Sequence, residues 1–249
     1  MRFLSLGLSD KVPDAKTIWL FKDTLSKTDA MEKLFSMFYQ QLENAGVVTH
    51  KGTIIDATFV DAPRQRNKRE ENKQIKNGDI PEDWKEKPHK LAQKDTDARW
   101  TKKGNEIHYG YKDHTKVDAE SKMIMDYTVT AANVHDSNEF VQFLDQRDQV
   151  VYADSAYVGK PLPEHVENCI HEKGFRGKPL TETQKKNNYQ KSKIRCRIEH
   201  VFGFMTMSMH GLTVRTIGIQ RASFNIGLTN LVYNICRFCM LKKKEVIVG

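Results

Sequence analysis

Residues 52–60 read Gly52-Thr-Ile-Ile-Asp56-Ala-Thr-Phe-Val60, a β-branched and apolar run with one acid at its centre. Apolar residues on both alternating faces predict a strand buried on both sides of a sheet. An ionised Asp in such a strand is costly unless it is paired, hydrogen-bonded or bound to a metal, so Asp56 is a candidate for chemistry. Upstream, Asp14 after Pro13 is a candidate helix N-cap, and Ile18, Leu20, Phe21 and Leu25 give the helix an apolar face. A second helix is predicted over 27–43, with Met31, Leu34, Phe35, Phe38 and Leu42 at helical spacing and Gly46 beyond its end. Residues 1–48 thus read as a helical lead-in to a domain over 49–249.

Downstream of the strand, residues 61–105 are polar, charged and almost without periodicity, which predicts a long, mobile, basic insertion loop. Strands follow over 106–115 and 121–131, joined by a polar turn at 117–120 as a hairpin. A short helix over 138–146 and an apolar strand over 149–153 come next. Residues 159–189 are mixed, with a short helix and strand before Ile170. A helix over 191–208 carries Ile194, Ile198, Val201, Phe202 and Met205 on one stripe, and a last helix spans 219–241. This order predicts an α/β fold, a mixed sheet flanked by helices.

Two further acids sit at borders of these elements. Asp154 ends the apolar run Val150-Val151-Tyr152-Ala153 and opens the turn Ser155-Ala156-Tyr157, and strand ends are where α/β folds place reactive groups. Glu199 adjoins Ile198 at the margin of its helix's apolar stripe, which turns it toward the sheet. Carboxylates of this kind suit hard divalent cations such as Mg²⁺, with Mn²⁺ as substitute. Two such ions about 3.5–4 Å apart activate the attacking oxygen and stabilise the leaving one in phosphodiester chemistry. Plainer readings stand beside this one: a satisfied buried acid at Asp56, a turn residue at Asp154, and an i to i+4 pair of Glu199 with Arg195 worth about 0.3–0.5 kcal/mol.

Charge points to a polyanion. The 249 residues carry a net charge of +8, and 173–197 contain nine Lys and Arg against the single acid Glu182. A second run contains Arg64, Arg66, Lys68, Arg69, Lys73 and Lys76 before acids balance it. Neutralising phosphates releases counterions, so such runs suit nucleic acid, a solvated face being the alternative. The 12 Phe, 8 Tyr and 3 Trp furnish a core, which excludes wholesale disorder. No run reaches the roughly 20 apolar residues needed to span a bilayer, and the start lacks a signal-peptide pattern. Four cysteines make no disulfide framework, so a reducing, cytoplasmic setting is expected, associated with the nucleoid and without membrane partners. Cys236-Arg-Phe-Cys239 has the spacing of half a zinc site, but Cys169 and Cys196 do not supply the other half.

Gly52-Thr-Ile-Ile-Asp56-Ala-Thr, Val151-Tyr-Ala-Asp154-Ser-Ala-Tyr-Val-Gly159 and Ile194-Arg-Cys-Arg-Ile-Glu199-His-Val-Phe-Gly203 together resemble the three catalytic blocks of DDE transposases from bacterial insertion sequences, the group typified by insertion sequence five. The resemblance extends to 10–21, to Asp97-Ala-Arg-Trp100, to His108-Tyr-Gly-Tyr-Lys112, to Ala132-Asn-Val-His-Asp136 and to the helix over 225–237. It implies a ribonuclease H-like domain, with the first acid on the first strand, the second at the end of the fourth and the Glu on a following helix. It further implies Asp56, Asp154 and Glu199 as catalytic and metal-binding residues, and Mg²⁺-dependent cleavage at terminal inverted repeats with strand transfer into target DNA. Arg195 and Arg197 are then the leading candidates for phosphate contacts, preceded by Lys191 and Lys193, with Arg64 and Arg66 in the second basic run. Arg195 orienting Glu199 is the equal alternative. Trp100 and Tyr109 are candidates for stacking on unpaired or distorted DNA, core packing being the alternative. Such enzymes are expected to act as homo-oligomers on paired ends.

The chain departs from the family pattern in two ways. The family carries more helical sequence ahead of the point where this chain begins, which reads as an N-terminally short repeat-binding region. Of the signature Tyr-x2-Arg-x3-Glu-x6-Lys, Arg195 and Glu199 fit, while Ser192 and Thr206 stand in place of Tyr and Lys. Two other readings therefore accompany the transposase: an inactive DNA-binding remnant or repressor of transposition, and a metal-dependent nuclease of the same fold.

Overall fold

The structure, a computed structural model, describes residue 7, residues 9–63 and residues 65–248, with side chains up to residue 243. Arg64 therefore lies outside the described residues. Among those described, no helix is long and apolar enough to cross a membrane.

The central strand is β1 (Thr53–Asp61). It pairs antiparallel with β3 (Glu106–Asp118) along its whole length, from Thr53 opposite Asp118 to Asp61 opposite Gly110. On the far side of β3 its later part pairs antiparallel with β4 (Ile124–Ala131), and its first residues pair with β2 (Arg99–Lys103). On the other side of β1, β5 (Val150–Ala153) runs parallel to it, and β6 (Glu167–Ile170) runs parallel to β5. Antiparallel β4, β3 and β1 continued by parallel β5 and β6 make a mixed sheet, the order expected from the family resemblance. With β2 added inside the insertion, Asp154 follows the fifth strand in chain order rather than the fourth.

Alternation along β1 explains its doubly apolar sequence. Ile54 packs with Val117, Ile198, Val201, Met205 and Phe224, between the sheet and the helices α7 (Arg197–Ser208) and α8 (Ile219–Val248). Ile55 points the opposite way, into a cluster with Phe140, Phe143, Val151, Ala153 and Tyr157. With period two, Asp56 belongs to the Ile54 face and so looks toward α7.

Five expectations change in detail. The insertion is folded: α3 (Arg69–Lys76), two one-turn helices, α4 (Glu82–Lys85) and α5 (Pro88–Leu91), and β2 replace the mobile loop. It closes around fully buried Trp84 and around Asp95, whose carboxylate accepts from Tyr111 Oη at 2.7 Å, Ala98 N at 3.0 Å and Gly218 N at 3.2 Å. The helix α1 (Ala15–Ser26) has Asp14 as its N-cap, accepting from Thr17 N at 2.6 Å. Its expected apolar face is exposed at Ile18, Leu20 and Phe21, while Asp23 is buried against Arg221 at 2.5 Å. The second helix, α2 (Ala30–Asn44), buries Met31, Phe35 and Leu42 as expected but leaves Leu34 exposed. The helix expected over 138–146 is two 3-10 turns, 136–138 and 141–143, because Asp136 is drawn onto Lys112 at 2.6 Å and Asp148 accepts from Asp145 N at 2.8 Å.

The helix expected over 191–208 is two helices. A capping box of Thr181 and Gln184 starts α6 (Glu182–Arg195), which ends at Cys196, where α7 begins. Glu199 N donates to Cys196 O at 3.1 Å, a tight three-residue turn at the junction.

Candidate active site

The β1–β5 register sets Ile54 opposite Tyr152, and carrying it two residues on brings Asp56 level with Asp154 on the same face. Asp154 leaves β5 in an extended conformation and its Oδ1 accepts from Ala156 N at 2.7 Å, which fixes the carboxyl at the strand's end. Asp56 Oδ1 accepts from Ala57 N at 2.8 Å. The break between α6 and α7 puts Arg195 at the end of one helix and Glu199 in the first turn of the next. From there Arg195 Nη1 donates to Asp56 Oδ2 at 3.0 Å and Nη2 to Glu199 Oε1 at 3.1 Å. The structure thus brings Asp56, Glu199 and Arg195 into contact, with Asp154 beside them.

Burial is the main force on Asp56 and pushes its pKa up to about 6; the Ala57 amide and then Arg195 pull it down, and the charge of Asp154 adds to the rise. Two acids level on one face of the sheet create a demand for positive charge that Arg195 partly meets at Asp56. Three carboxylates are the hard-oxygen donor set that fits Mg²⁺ or Mn²⁺. Among the described residues, no three His, Cys, Asp or Glu groups converge closely enough to hold an ion. Glu199 is the outlying member, 62% exposed and tethered to Arg195.

A residue missed by sequence reasoning joins the site. His171 directly follows β6, and its N donates to Ala153 O at 3.0 Å, so it stands beside Asp154 in the parallel register. Its Nε2 lies 3.2 Å from Oγ of Ser192, the residue that stands where the family has Tyr. Burial and the Arg195 charge hold the imidazole pKa below its usual value, against the pull of Asp154. The signal available was its place directly after the strand expected up to Ile170.

The cationic candidates separate. Lys191 donates to Ile170 O at 2.8 Å, fastening α6 to β6, and exposed Lys193 sits 4.8 Å over the Tyr189 ring. Arg197 donates to Ala119 O at 2.8 Å and so faces the β3–β4 turn rather than Asp56. Trp100 is half-buried, tilted on the ring of fully buried Tyr109, with its Nε1 donating to Asn67 O at 2.8 Å and Arg66 stacked 5.8 Å above it. Cys236 and Cys239 are free thiols on α8.

A solved structure of the piggyBac transposase in a synaptic complex with hairpin DNA is similar at 10% sequence identity and a TM-score of 0.46, over 89% of this chain and 53% of that one. The chain therefore spans about half the length of that transposase. The sequence matches the family described as the transposase DDE domain over residues 49–235, a span that holds Asp56, Asp154, Arg195 and Glu199, and the chain accordingly belongs to that family.

Proposed function

We propose that this transposase-family chain cleaves DNA at the ends of an insertion sequence and joins the freed 3′ hydroxyl to target DNA. The observation that carries the reading is the convergence of Asp56, Glu199 and Arg195, with Asp154 level with Asp56, at one edge of the sheet. Asp56, Asp154 and Glu199 would hold divalent cations, Mg²⁺ or Mn²⁺. When bound, these supply the positive charge that activates an attacking oxygen and steadies a leaving one. The chain's own groups do the rest. The Ala57 and Ala156 amides fix one oxygen each of Asp56 and Asp154; the second Asp56 oxygen accepts from Arg195, which would yield it to a bound ion. Arg195 neutralises Asp56 and orients Glu199, and exposed Lys193 adds charge for the phosphate backbone. The same reading takes 1–48 as a helical lead-in and 49–249 as the catalytic domain. It places the protein in the cytoplasm on nucleoid DNA and has it work as a homo-oligomer on paired ends.

The test is a labelled duplex carrying the element's terminal repeat, incubated with Mg²⁺ or EDTA beside Asp56→Ala and Asp154→Asn. Cleavage at the repeat boundary that needs metal and both acids, followed by joining to a target duplex, is expected. Cleavage without joining would instead mark a nuclease of the same fold, and binding without cleavage a repressor. Wild-type rates from folded Asp154→Asn would sink the assignment of the site.

A further inference from the structure

Resting on the reading of the chain as DNA-acting, we propose that the hairpin at 172–178 and the outer face of α6 form a platform for unpaired DNA bases beside the cleavage site. Phe175 and Tyr189 supply the stacking rings, and the surrounding lysines hold the phosphates.

The hairpin is a defined element. Phe175 N donates to Lys178 O and Lys178 N to Phe175 O, each at 3.0 Å, which closes a two-residue turn over Arg176 and Gly177. Gly177 takes φ +81°, which its lack of a side chain permits. Two well-formed bonds across so short a turn fix the direction of Phe175, which is 64% exposed. At the tip the ring is left open to a ligand rather than packed into the core.

The base of the hairpin is fastened to α6. Glu172 N donates to Asn188 Oδ1 at 2.9 Å and Asn188 Nδ2 to Glu172 O at 3.0 Å, so the Asn188 amide satisfies both backbone groups of Glu172. The next residue on α6 is Tyr189, also 64% exposed, with Lys193 Nζ 4.8 Å over its ring. The contact of Ser192 with His171 and that of Lys191 with Ile170 stitch the same helix to the end of β6, beside Asp154. Both rings therefore stand on the elements that lie between the second acid and the third.

Charge selects the ligand. The only acid from 173 to 197 is Glu182, and Lys185 pairs with it at 2.8 Å. Among the described residues no acid pairs with Lys173, Lys178, Lys186 or Lys193. Two rings on different elements, set among ammonium groups that no described acid pairs, do not make the continuous apolar patch that a protein partner buries. They match a strand of nucleic acid, whose phosphates take the cations and whose bases each offer a π-face. A fully paired duplex keeps its bases stacked inside and would engage the lysines alone.

The experiment uses the full chain in EDTA, with a fluorescent oligo(dT) strand and a blunt mixed-sequence duplex as probes. Phe175→Ala and Tyr189→Ala are each expected to weaken oligo(dT) binding about tenfold while duplex binding stays within about twofold, since stacking rather than charge is removed. Tyr189→Phe, which keeps the ring, restores the strand binding and shows that the helix is intact. Lys173→Ala combined with Lys178→Ala weakens both probes and flattens the salt dependence. Ring variants that bind oligo(dT) like the wild type, or that lose both probes equally, overturn the platform. So does a wild-type chain that binds neither probe. Cleavage of the terminal repeat is scored separately through Asp56→Ala: a platform that binds in a chain that never cuts would end the transposase reading and leave this one standing.

Discussion

Arg195 and Asp56 meet at 3.0 Å across 139 residues of sequence, and the other end of the same guanidinium holds Glu199 at 3.1 Å. One side chain therefore does the electrostatic work that a cation would do between two of the three acids. It does so incompletely, because Asp56 still titrates near 6.

That residual strain has a sign that can be checked. Between the ordinary carboxylate value of about 3.8 and about 6, Asp56 holds a proton in the folded chain and has lost it in the unfolded one. Its contribution to stability is thus complete at low pH and falls as pH rises through this window. Asp56→Asn mimics the protonated form, so in EDTA its stability relative to wild type should grow by up to about 3 kcal/mol from pH 4 to pH 7. Arg195→Ala should widen the window upward. Added Mg²⁺ should stabilise the wild type at pH 7 and leave Asp56→Asn nearly unmoved. Urea unfolding at the two pH values measures all of this, and parallel pH curves for wild type and Asp56→Asn would refute it.

Asp113 gives a second pH signature from a different place. It lies fully buried on β3 with Asn230 Nδ2 on its Oδ1 at 3.2 Å, while its Oδ2 and Asn230 Oδ1 have no partner. Burial pushes its pKa up to about 8, against the small help of Asn230. The fold therefore loses stability as pH rises from about 4 to about 8, with the last part of the loss, about 1 kcal/mol, falling between pH 7 and pH 9. Asp113→Asn, which cannot ionise, should abolish that portion of the alkaline loss. An unchanged difference between the two chains from pH 7 to pH 9 would show that Asp113 ionises without penalty.

The edge strand β4 is guarded by one buried amide. Asn234 Oδ1 accepts from Ile124 N at 2.9 Å and its Nδ2 donates to Ile124 O at 2.8 Å, where the β3–β4 register shifts. Asn234→Leu would leave both backbone groups buried without partners, at a cost of at least about 2 kcal/mol. It would also expose the start of an edge strand to pairing with another chain. Lower urea midpoints together with concentration-dependent aggregation are expected; a midpoint within error of wild type would mean that water replaces the amide at no cost.

How much of this was legible in the sequence depends on what kind of force holds each part. β1 could be read because Ile54 and Ile55 serve two different cores, which makes the strand apolar on both faces. Asp56 stood out in it by contrast. The pairing of Arg195 with Glu199 was readable from helical spacing alone, but its reach to Asp56 was not, since it depends on the break at Cys196. The insertion stayed opaque because Trp84 and Asp95 organise it through single side-chain bonds that leave no periodic trace. Helix α1 misled in the opposite direction: its apolar stripe is real in sequence and faces solvent, and the helix is held through Asp23 and Arg221 instead.

Gly110 is the position at which backbone geometry most directly protects the site. Its φ is +151°, and a Cβ there would stand 2.3 Å from Val60 O and 2.7 Å from Ala62 N, both backbone atoms that cannot yield singly. It is also where three elements meet: it pairs with Asp61 of β1 and Arg99 of β2, and its O accepts from Ala132 N at 3.1 Å. Gly110→Ala is therefore expected to cost more than about 3 kcal/mol, as strain and overpacking add. Gly104→Ala, at φ +60° in open space, should cost only about 1 kcal/mol of turn strain and serves as the control. Relief of the clash by a one-residue slip of β1 on β3 is closed off, since it would turn Asp56 to the other face and bring Ile55 out of its core. Thermal unfolding of the two variants compares the costs. Equal, small losses would mean that β1 and β3 can part at Gly110 without disturbing the register that aims Asp56 at Arg195.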